Sequence, residues 1–302
     1  MNFKKLPKID LHIHLDGAIR VPTIAELGDE LGVKLPTYDS KKLAKFVQVD
    51  RDCRSLTAFL KRFEVFYPIL PYAITQERIA YELCEDCARD NVIYFETRFA
   101  PSLACNEKFT MEDAVVAALE GLRRGQRDFR VHCGLILCCY RSITTQQNID
   151  TVRLAQKYRG KGVIGIDLAG DEVHYPAAPH AEAFTLARKL EIPITMHAGE
   201  GGKAENVREA VFEICLTSNL QTCSVPSLQT HPFQKFVNEK LRVTLNTDDP
   251  AISNITLTNE FELAARAYKL TPTQIRELLV NAAQGAFAES STRRELVSRL
   301  SV

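Results

Sequence analysis

The sequence has no tryptophan, no apolar run of membrane length and no excess of one charge. Its 302 residues contain 38 Lys and Arg against 38 Asp and Glu, so no overall field directs the chain to nucleic acid or anionic lipid. No apolar segment approaches the ~18 residues of a membrane span, and the first sixteen residues carry charges and histidines where a signal peptide has an apolar core. These absences predict a cytoplasmic protein without nucleic-acid or membrane partners.

Several catalytic and disulfide signatures are also missing. The chain has no G-x-x-x-x-G-K-[ST] phosphate loop and no G-x-S-x-G nucleophile elbow. His180 and Glu182 match the H-x-E of cytidine-type zinc deaminases, but no P-C-x-x-C follows them, which excludes that family. Nine cysteines, an odd number spread along a long chain, predict reduced and mostly buried thiols. Cys84 and Cys87 form a C-x-x-C pair without a second pair, so no structural zinc or redox site is predicted there.

The chain does show a repeated pairing of a short apolar run with a longer amphipathic one. Hydrophobic residues make up 45% of it and charged residues 25%, as in globular proteins with a large core. The strand-like runs are Lys8–Leu15, Val92–Phe99, Val131–Cys139, Val163–Ala169, Ile192–His197 and Leu241–Thr247. Helix-like segments are Met111–Gly125, Thr145–Arg159 and Ala181–Leu190. Continuous apolar strands covered by helices indicate a parallel α/β sheet, and we expect one domain over residues 1–302.

Polar residues gather where the predicted strands end. They are His12, His14 and Asp16; Gly170, Asp171 and Glu172; His197 and Glu200; and Asp248 and Asp249. In a (β/α)₈ barrel the active site lies at the C-terminal face and is built from strand ends that are distant in sequence. The placement predicts a TIM-type (β/α)₈ barrel. The helical stretch from Ser55 to Arg89, broken between Pro68 and Pro71, is then an insertion after strand 1 over one end of the barrel.

Three of these strand ends supply metal-binding residue types. His12 and His14 are two positions apart on a strand, so both side chains project to one face and can share a metal ion. For this fragment alone, two hydrogen-bonded core histidines are the alternative. His197 and Asp248 complete a set of three imidazoles and one carboxylate, which suits Zn²⁺ and leaves an open position for water. We expect one zinc ion per chain.

Two further acids adjoin the predicted ligands. Glu200 follows His197 across an Ala-Gly pair that suits a tight turn over a ligand, which makes Glu200 a candidate general acid or base. Asp249 would be a poor second ligand beside Asp248, because adjacent residues diverge at a strand end, and is better placed to hydrogen-bond substrate. The alternative for Glu200 is an ordinary loop glutamate, and the alternative for Asp249 is that it merely lies at the start of a turn.

Four segments closely resemble the adenosine deaminase family, in the family's order: Pro7–Arg20, Ile166–Glu172, Met196–Glu200 and Leu245–Pro250. The resemblance implies zinc-dependent hydrolytic deamination of a small purine nucleoside, converting adenosine and 2′-deoxyadenosine to inosine and 2′-deoxyinosine plus ammonia. It implies that the zinc ligands are His12, His14, His197 and Asp248. It further implies that Glu200 protonates the purine ring nitrogen, and that Gly170, Asp249, Asp16 and His14 contact the purine and ribose.

One part of the family pattern is missing. Family members carry, after the His-Ala-Gly-Glu motif, a further strand that ends in a His-Gly motif, and none of the seven histidines here precedes a glycine. The strand starts at Ile192 and Leu241 are 49 residues apart, whereas three βα steps of about 30 residues each need roughly 90. The barrel is therefore predicted to be incomplete, with one βα unit missing between residues 200 and 216.

Two structural outcomes and three functions stay open at this point. The first structural alternative is that Phe212–Leu216 forms a strand in a gapped barrel, and the second is that Ala204–Leu216 fuses into one helix. The three functional alternatives are an adenosine deaminase with impaired turnover, a non-catalytic or misfolded variant of the fold, and a deaminase of another adenine nucleoside or nucleotide.

Overall fold

The computed structural model describes residues 1–50, 52–172, 174–198 and 211–300. The strands in these ranges are β1 (Lys8–His14), β2 (Val92–Phe99), β3 (His132–Tyr140), β4 (Val163–Ala169), β5 (Phe212–Ile214) and β6 (Val243–Leu245). The helices are α1 (Val21–Glu30), α2 (Ser40–Val47), α3 (Leu56–Leu60), α4 (Ala73–Arg89), α5 (Met111–Phe129), α6 (Thr145–Tyr158), α7 (Ala181–Lys189), α8 (Leu216–Gln221), α9 (Phe233–Asn238), α10 (Pro250–Ser253), α11 (Leu257–Tyr268), α12 (Pro272–Gly285) and α13 (Ser290–Leu300). Short 3₁₀ turns lie at Asp16–Ala18, Phe63–Val65, Tyr67–Ile69, Pro101–Leu103 and Ala178–His180.

The strands are parallel and follow one another around an α/β barrel. β1, β2, β3 and β4 form one sheet in that order, and β5 pairs with β6. Asp248, just after β6, bridges to Ile13 of β1, and Ile194 bridges to Ile166 of β4. The predicted strand Ile192–His197 pairs with β4 through this bridge. The predicted parallel α/β fold is confirmed, because apolar residues fill strand positions that helices cover on the outside.

The segment after residue 210 resolves the two structural alternatives. β5 pairs with β6 from Phe212 opposite Val243 to Ile214 opposite Leu245, and α8 begins at Leu216. The fused helix through Leu216 is therefore wrong, because backbone pairing with β6 outweighs the helical spacing of the apolar residues. Residues 204–210, the start of that proposed helix, lie outside the described residues.

The helical stretch between β1 and β2 divides into two parts with different surroundings. α3 and the 3₁₀ turns after it line the pocket at the strand ends. α4 instead packs along α5, where glycines permit a close approach: a Cβ at Gly121 would lie 2.1 Å from the carbonyl oxygen of Glu77, and one at Gly125 would lie 2.5 Å from Cβ of Cys84. α4 is thus a helix of the outer layer, and the insertion over the barrel end is the shorter part before it.

All nine cysteines are free, which agrees with the reduced thiols predicted from the sequence. Cys84 and Cys87 are buried in α4, and burial raises the pKa of the Cys87 thiol well above its ordinary value. None of the helices within the described ranges has the length and apolar character needed to cross a membrane. The mainly apolar core contains a few buried charged side chains as exceptions.

One such exception is Glu96 of β2, a buried carboxyl group. It accepts hydrogen bonds from the Tyr94 hydroxyl at 2.7 Å and from the backbone N–H of Phe287 at 2.5 Å, which tie β2 to the segment after α12. Burial raises the pKa of Glu96 to about 8. The side chain is therefore held in the fold mainly as a neutral acid.

We expect Glu96→Gln to remove a pH-dependent loss of stability. Because the folded-state pKa lies above its ordinary value of 4.5, the folded chain binds more protons than the unfolded chain between those two values, and stability falls as pH rises through this window. Glu96 contributes at most about 1.4 kcal/mol per pH unit to that slope, whereas glutamine accepts the same hydrogen bonds without titrating. Urea unfolding at pH 5 and pH 8 measures the slope, with exposed Glu289→Gln as the control. If the free energy of unfolding falls equally between pH 5 and pH 8 in Glu96→Gln and in the unaltered chain, the raised pKa of Glu96 would be contradicted.

Candidate functional site

Four of the predicted site residues converge at the ends of the strands. Nε2 of His197 lies 3.1 Å from Nε2 of His12 and 3.0 Å from Nε2 of His14. Oδ1 of Asp248 lies 3.3 Å from Nε2 of each of these two β1 histidines. Within the described part of the chain, this is the one group of potential ligands whose donor atoms all lie close together, within 4.8 Å of one another. We name these four residues the His/Asp cluster.

Four of the separations between donor atoms in the cluster are short enough for the residues to share one metal ion. They are 3.0–3.3 Å, all the donor atoms lie within 4.8 Å of one another, and ligand atoms that each lie 2.0–2.1 Å from a zinc ion are about 3–4 Å apart. A neutral imidazole carries one N–H, so hydrogen bonds alone cannot satisfy three ring nitrogens that face one another. The donor set and its spacing fit a divalent cation such as Zn²⁺.

Two buried carboxylates set the orientation of the histidine rings. Nδ1 of His12 lies 2.8 Å from Oε2 of Glu213, and Nδ1 of His197 lies 2.8 Å from Oδ2 of Asp167. A proton on each Nδ1 leaves Nε2 as the coordinating atom. Arg98 pairs with both acids, at 2.9 Å from Glu213 and 3.5 Å from Asp167. Burial alone would raise the pKa of both acids, but the Arg98 charge and the histidine contacts lower both pKa values.

Sequence reasoning missed these three supporting residues. Arg98 and Asp167 lie inside runs predicted as apolar strands, and Glu213 lies in the run Phe212–Leu216, for which the sequence leaves a strand and a helix open. Their charges were the available signal, because an unpaired charge inside a buried strand is costly and implies a partner elsewhere in the fold. The partner itself was not predictable: His12 and Glu213 are 201 residues apart in sequence.

We expect Glu213→Gln to weaken zinc binding about 10–100-fold, the usual effect of removing a residue that orients a metal ligand. The amide still reaches Nδ1 of His12 but lacks the negative charge that makes the imidazole a stronger donor. Competition with a chromophoric zinc chelator measures the affinity. Glu239→Gln, at an exposed position on the surface, is the matched control and should retain the original affinity. Unchanged affinity in Glu213→Gln would show that the contact with His12 does not support metal binding.

The other predicted site residues in the described ranges lie around one pocket beside the cluster. Asp16, Gly170 and Asp249 line it together with His14, His197 and Asp248. Gly170 has φ of 100° and faces the Tyr140 ring, which a Cβ would approach to 3.1 Å. A Cβ at Gly17 would overlap the Asp249 carboxylate, so glycine there lets the turn after β1 pack against Asp249. Glu200 lies outside the described residues, and its role stays a prediction.

One apolar wall of the pocket comes from the insertion. It comprises Leu56, Phe59, Leu60, Phe63 and Tyr67, and the segments at the ends of β2, β3 and β4 supply Ala100, Leu103, Cys138, Tyr140 and Ala169. No Lys or Arg lines the pocket within the described ranges, whereas three carboxylates do, and burial raises the pKa of Asp16 to about 6. The cavity measures about 80 Å³, which is smaller than the roughly 300 Å³ or more that is usual for ligand pockets.

The other four histidines lie outside the cluster. His180 is buried between Asn148 and the backbone of Arg141, and His231 contacts Asn219. His174 pairs with Asp171 at the surface, and His132 is exposed on β3. The predicted cluster at the strand ends is thus spatially distinct from the surface and structural histidines.

Comparisons with known proteins agree with this geometry. The family model described as adenosine deaminase matches residues 7–214 and 211–302. An adenosine deaminase from Clostridium botulinum (strain Langeland) is 37% identical over 329 aligned positions, which cover 99% of this chain and 98% of the relative. One from Clostridium perfringens is 32% identical, with 98% of both chains covered. An Arabidopsis structure described as an N6-mAMP deaminase has a TM-score of 0.88 at 29% identity and covers 99% of this chain and 98% of its own.

The same comparisons bear on the missing unit. The 329 aligned positions exceed the 302 residues of this chain by 27, so at least that number of positions in the Clostridium botulinum relative have no counterpart here. A βα unit of a TIM barrel averages about 30 residues. The two matched parts of the family model meet at residues 211–214, at the end of the interval in which the unit was predicted to be absent.

Proposed function

Because the chain belongs to the adenosine deaminase family of hydrolytic deaminases, we propose that it binds one zinc ion at His12, His14, His197 and Asp248 and deaminates adenosine and 2′-deoxyadenosine. The products are inosine and 2′-deoxyinosine plus ammonia. The observation that carries the proposal is the convergence of four donor atoms within 4.8 Å of one another, with four of their separations at 3.0–3.3 Å. We further propose that residues 1–302 act as a single barrel domain in the cytoplasm.

The chemistry divides between the metal and the side chains of this chain. A bound zinc ion supplies a water nucleophile that is deprotonated near neutral pH. Attack at the carbon that bears the amino group disrupts the aromatic ring, so a ring nitrogen needs a proton as the new bond forms. Glu200 is the proposed donor of that proton. The amino group then leaves as ammonia after it gains the proton of the added hydroxyl group, whose oxygen becomes the carbonyl oxygen of the product.

The pocket residues bind and orient the nucleoside in this proposal. Asp16, Gly170 and Asp249 contact the purine and ribose, and the His14 ring lies at the boundary between the metal site and the substrate. Phe59 and Phe63 of the apolar wall are buried at 2% and 6% exposure. When the insertion covers the bound purine, these rings exclude bulk water from the reacting centre, which strengthens its electrostatic interactions.

The charge of the pocket supports a nucleoside in preference to a nucleotide. Three carboxylates, those of Asp16, Asp248 and Asp249, line it, and the described lining residues include neither Lys nor Arg. A phosphate dianion needs a cationic or N–H partner and is repelled by carboxylates. The Arabidopsis relative is described as acting on a methylated nucleotide, so a nucleotide substrate is the direct competitor of adenosine.

We expect kcat/KM for adenosine to exceed that for adenosine monophosphate by at least about 100-fold, because burying a phosphate beside carboxylates costs several kcal/mol. The absorbance change on deamination of the zinc-loaded protein measures this ratio, with adenine and N6-methyl adenosine monophosphate as further substrates. If either nucleotide is deaminated faster than adenosine, that nucleotide would replace adenosine as the proposed substrate. If none of the four substrates releases its amine, ammonia or, from the N6-methyl substrate, methylamine, the result would contradict deamination and leave the zinc proposal intact.

The missing unit favours a second candidate function, the binding of a purine nucleoside without turnover. In the family, by resemblance, that unit carries a histidine that assists the reaction, and at least 27 aligned positions of a relative are absent here. The expected signature is a cooperative thermal transition that a purine nucleoside analogue shifts upward, without release of ammonia. Ammonia release at a rate that depends on zinc would exclude this candidate.

A further inference from the structure

A second and larger cavity lies on the other side of β1. It measures about 400 Å³, is partly open to solvent, and is lined by the start of α1, the C-terminal part of α4 and the segment from α10 to α11. Its apolar walls include Ile13, Val21, Leu83, Val92, Ile255 and Leu257. Ile13 points to the opposite face of the strand from His12 and His14, because side chains alternate along a strand. We call this space the rear cavity.

The rear cavity is large enough for a ligand. An apolar cavity of about 150 Å³ in a protein core takes up benzene, and small-molecule pockets usually measure about 300–1,000 Å³. The walls come from four elements that are distant in sequence, so no single side-chain rotation fills the space. The space of about 400 Å³ is partly open to solvent, so a ligand can enter it without unfolding of its walls.

The charges inside the rear cavity already have partners, and Lys4, whose ammonium group makes no ion pair with a described residue, lies at the exposed rim. At its rim, Arg20 donates two hydrogen bonds to the Asp86 carboxylate, from Nε at 2.9 Å and from Nη2 at 2.7 Å. Arg89 pairs with Glu85 at 2.6 Å. Asp90 accepts hydrogen bonds from the Thr258 hydroxyl and N–H at 2.6 and 2.9 Å.

The one acid at its floor is satisfied as well. The Asp10 carboxylate accepts a hydrogen bond from the Thr247 hydroxyl at 2.6 Å and another from the His12 N–H at 3.2 Å. A charged ligand would have to break one of these pairs, whereas an uncharged apolar ligand leaves all of them in place.

We propose that the rear cavity is a binding site for an uncharged, mainly apolar molecule of one or two rings. Its walls adjoin the segments that carry the His/Asp cluster and the pocket: Ala18 ends the turn that begins at Asp16, and Pro250 follows Asp249. A molecule in the cavity packs against the rear of these segments and stabilises their arrangement. The proposal does not depend on the deaminase activity.

The absence of tryptophan from the chain makes a direct test possible. Lys4→Trp introduces a single indole at the exposed rim of the rear cavity. The probe is 4-nitrobenzyl alcohol, an uncharged nitroaromatic that quenches indole fluorescence. We expect quenching that saturates with probe concentration and an accompanying rise in Tm, since a ligand that binds the folded state stabilises it. Quenching that rises linearly without saturation would overturn the proposal.

Two further substitutions in the Lys4→Trp background locate the bound probe. Ala251→Phe places a ring in the rear cavity and should abolish saturable quenching and the rise in Tm. Ala73→Phe makes the same change at an exposed position near the N-terminus of α4, ten residues before the first α4 residue that lines the cavity, and should leave both signals unchanged. Saturable quenching that survives Ala251→Phe would overturn the assignment to this cavity.

Two additional measurements keep the test decisive. If Ala251→Phe does not fold, Ile255→Phe, on another wall, is used in its place. In the unaltered chain, which keeps Lys4, the rise in Tm should show that the anion 4-nitrobenzoate binds at least ten-fold more weakly than the alcohol, and tighter binding of the anion would overturn the assignment to an uncharged ligand. Because these signals are fluorescence and Tm, a failure of deamination leaves them unaffected, and their failure leaves the proposed function untouched.

Discussion

We expect His197→Ala to leave the protein without stoichiometric zinc and without measurable deamination. The substitution removes one of the four converging donors and leaves the buried Asp167 carboxylate without its imidazole partner. Loss of a residue that only orients a ligand weakens metal binding about 10–100-fold, so loss of the ligand itself should weaken it at least about 100-fold. Metal content after dialysis, measured by mass spectrometry, and inosine formation report the two effects.

The control for this substitution is His132→Ala. His132 is exposed at the start of β3 and makes no contact with the His/Asp cluster, so its replacement should keep one zinc per chain and the original rate. Zinc bound at one equivalent by His197→Ala would contradict the proposed ligand set. Retained zinc with lost activity would instead assign His197 to the reaction and not to the metal.

The second large effect concerns the missing βα unit. We expect kcat/KM to rise about 10²–10⁴-fold when the extra segment of the Clostridium botulinum relative is inserted before Phe212, because a positioned acid–base histidine contributes a factor of this size. The inserted strand would also pair between the segment at Ile194 and β5. Steady-state assays on the zinc-loaded chimera and the unaltered chain measure the change.

A second chimera separates chemistry from repair of the fold. In it, the histidine of the inserted His-Gly motif is replaced by alanine, which keeps the additional strand and helix. This variant should share the higher Tm of the first chimera and lose most of its gain in kcat/KM. Equal activity in the two chimeras would show that the gain comes from the completed barrel and not from the histidine.

The cluster was predictable from the sequence because local patterns reveal strand ends. His12 and His14 share a face through the two-residue period of β1, and Asp248 follows the last strand of a repeating βα pattern. A parallel barrel brings all such ends to one rim. The pattern therefore gave the position of each side chain along its own strand, and the barrel topology placed the strands side by side.

The supporting charges were not predictable in the same way. Arg98 pairs with Asp167 and Glu213 across three different strands, and each pairing depends on the register between strands. Register is a property of two segments together, and an isolated apolar run does not contain it. The division of the Ser55–Arg89 stretch escaped prediction for a related reason: the close contact of α4 with α5 depends on glycines about forty residues away.

The bridge between Ile13 and Asp248 determines when the metal site can form during synthesis. His12 and His14 leave the ribosome more than 230 residues before Asp248. Until Asp248 has emerged, β1 lacks this neighbour and the two imidazoles have no complete metal site. Zinc can therefore bind to the complete site only late in synthesis, and it then links segments that are more than 230 residues apart.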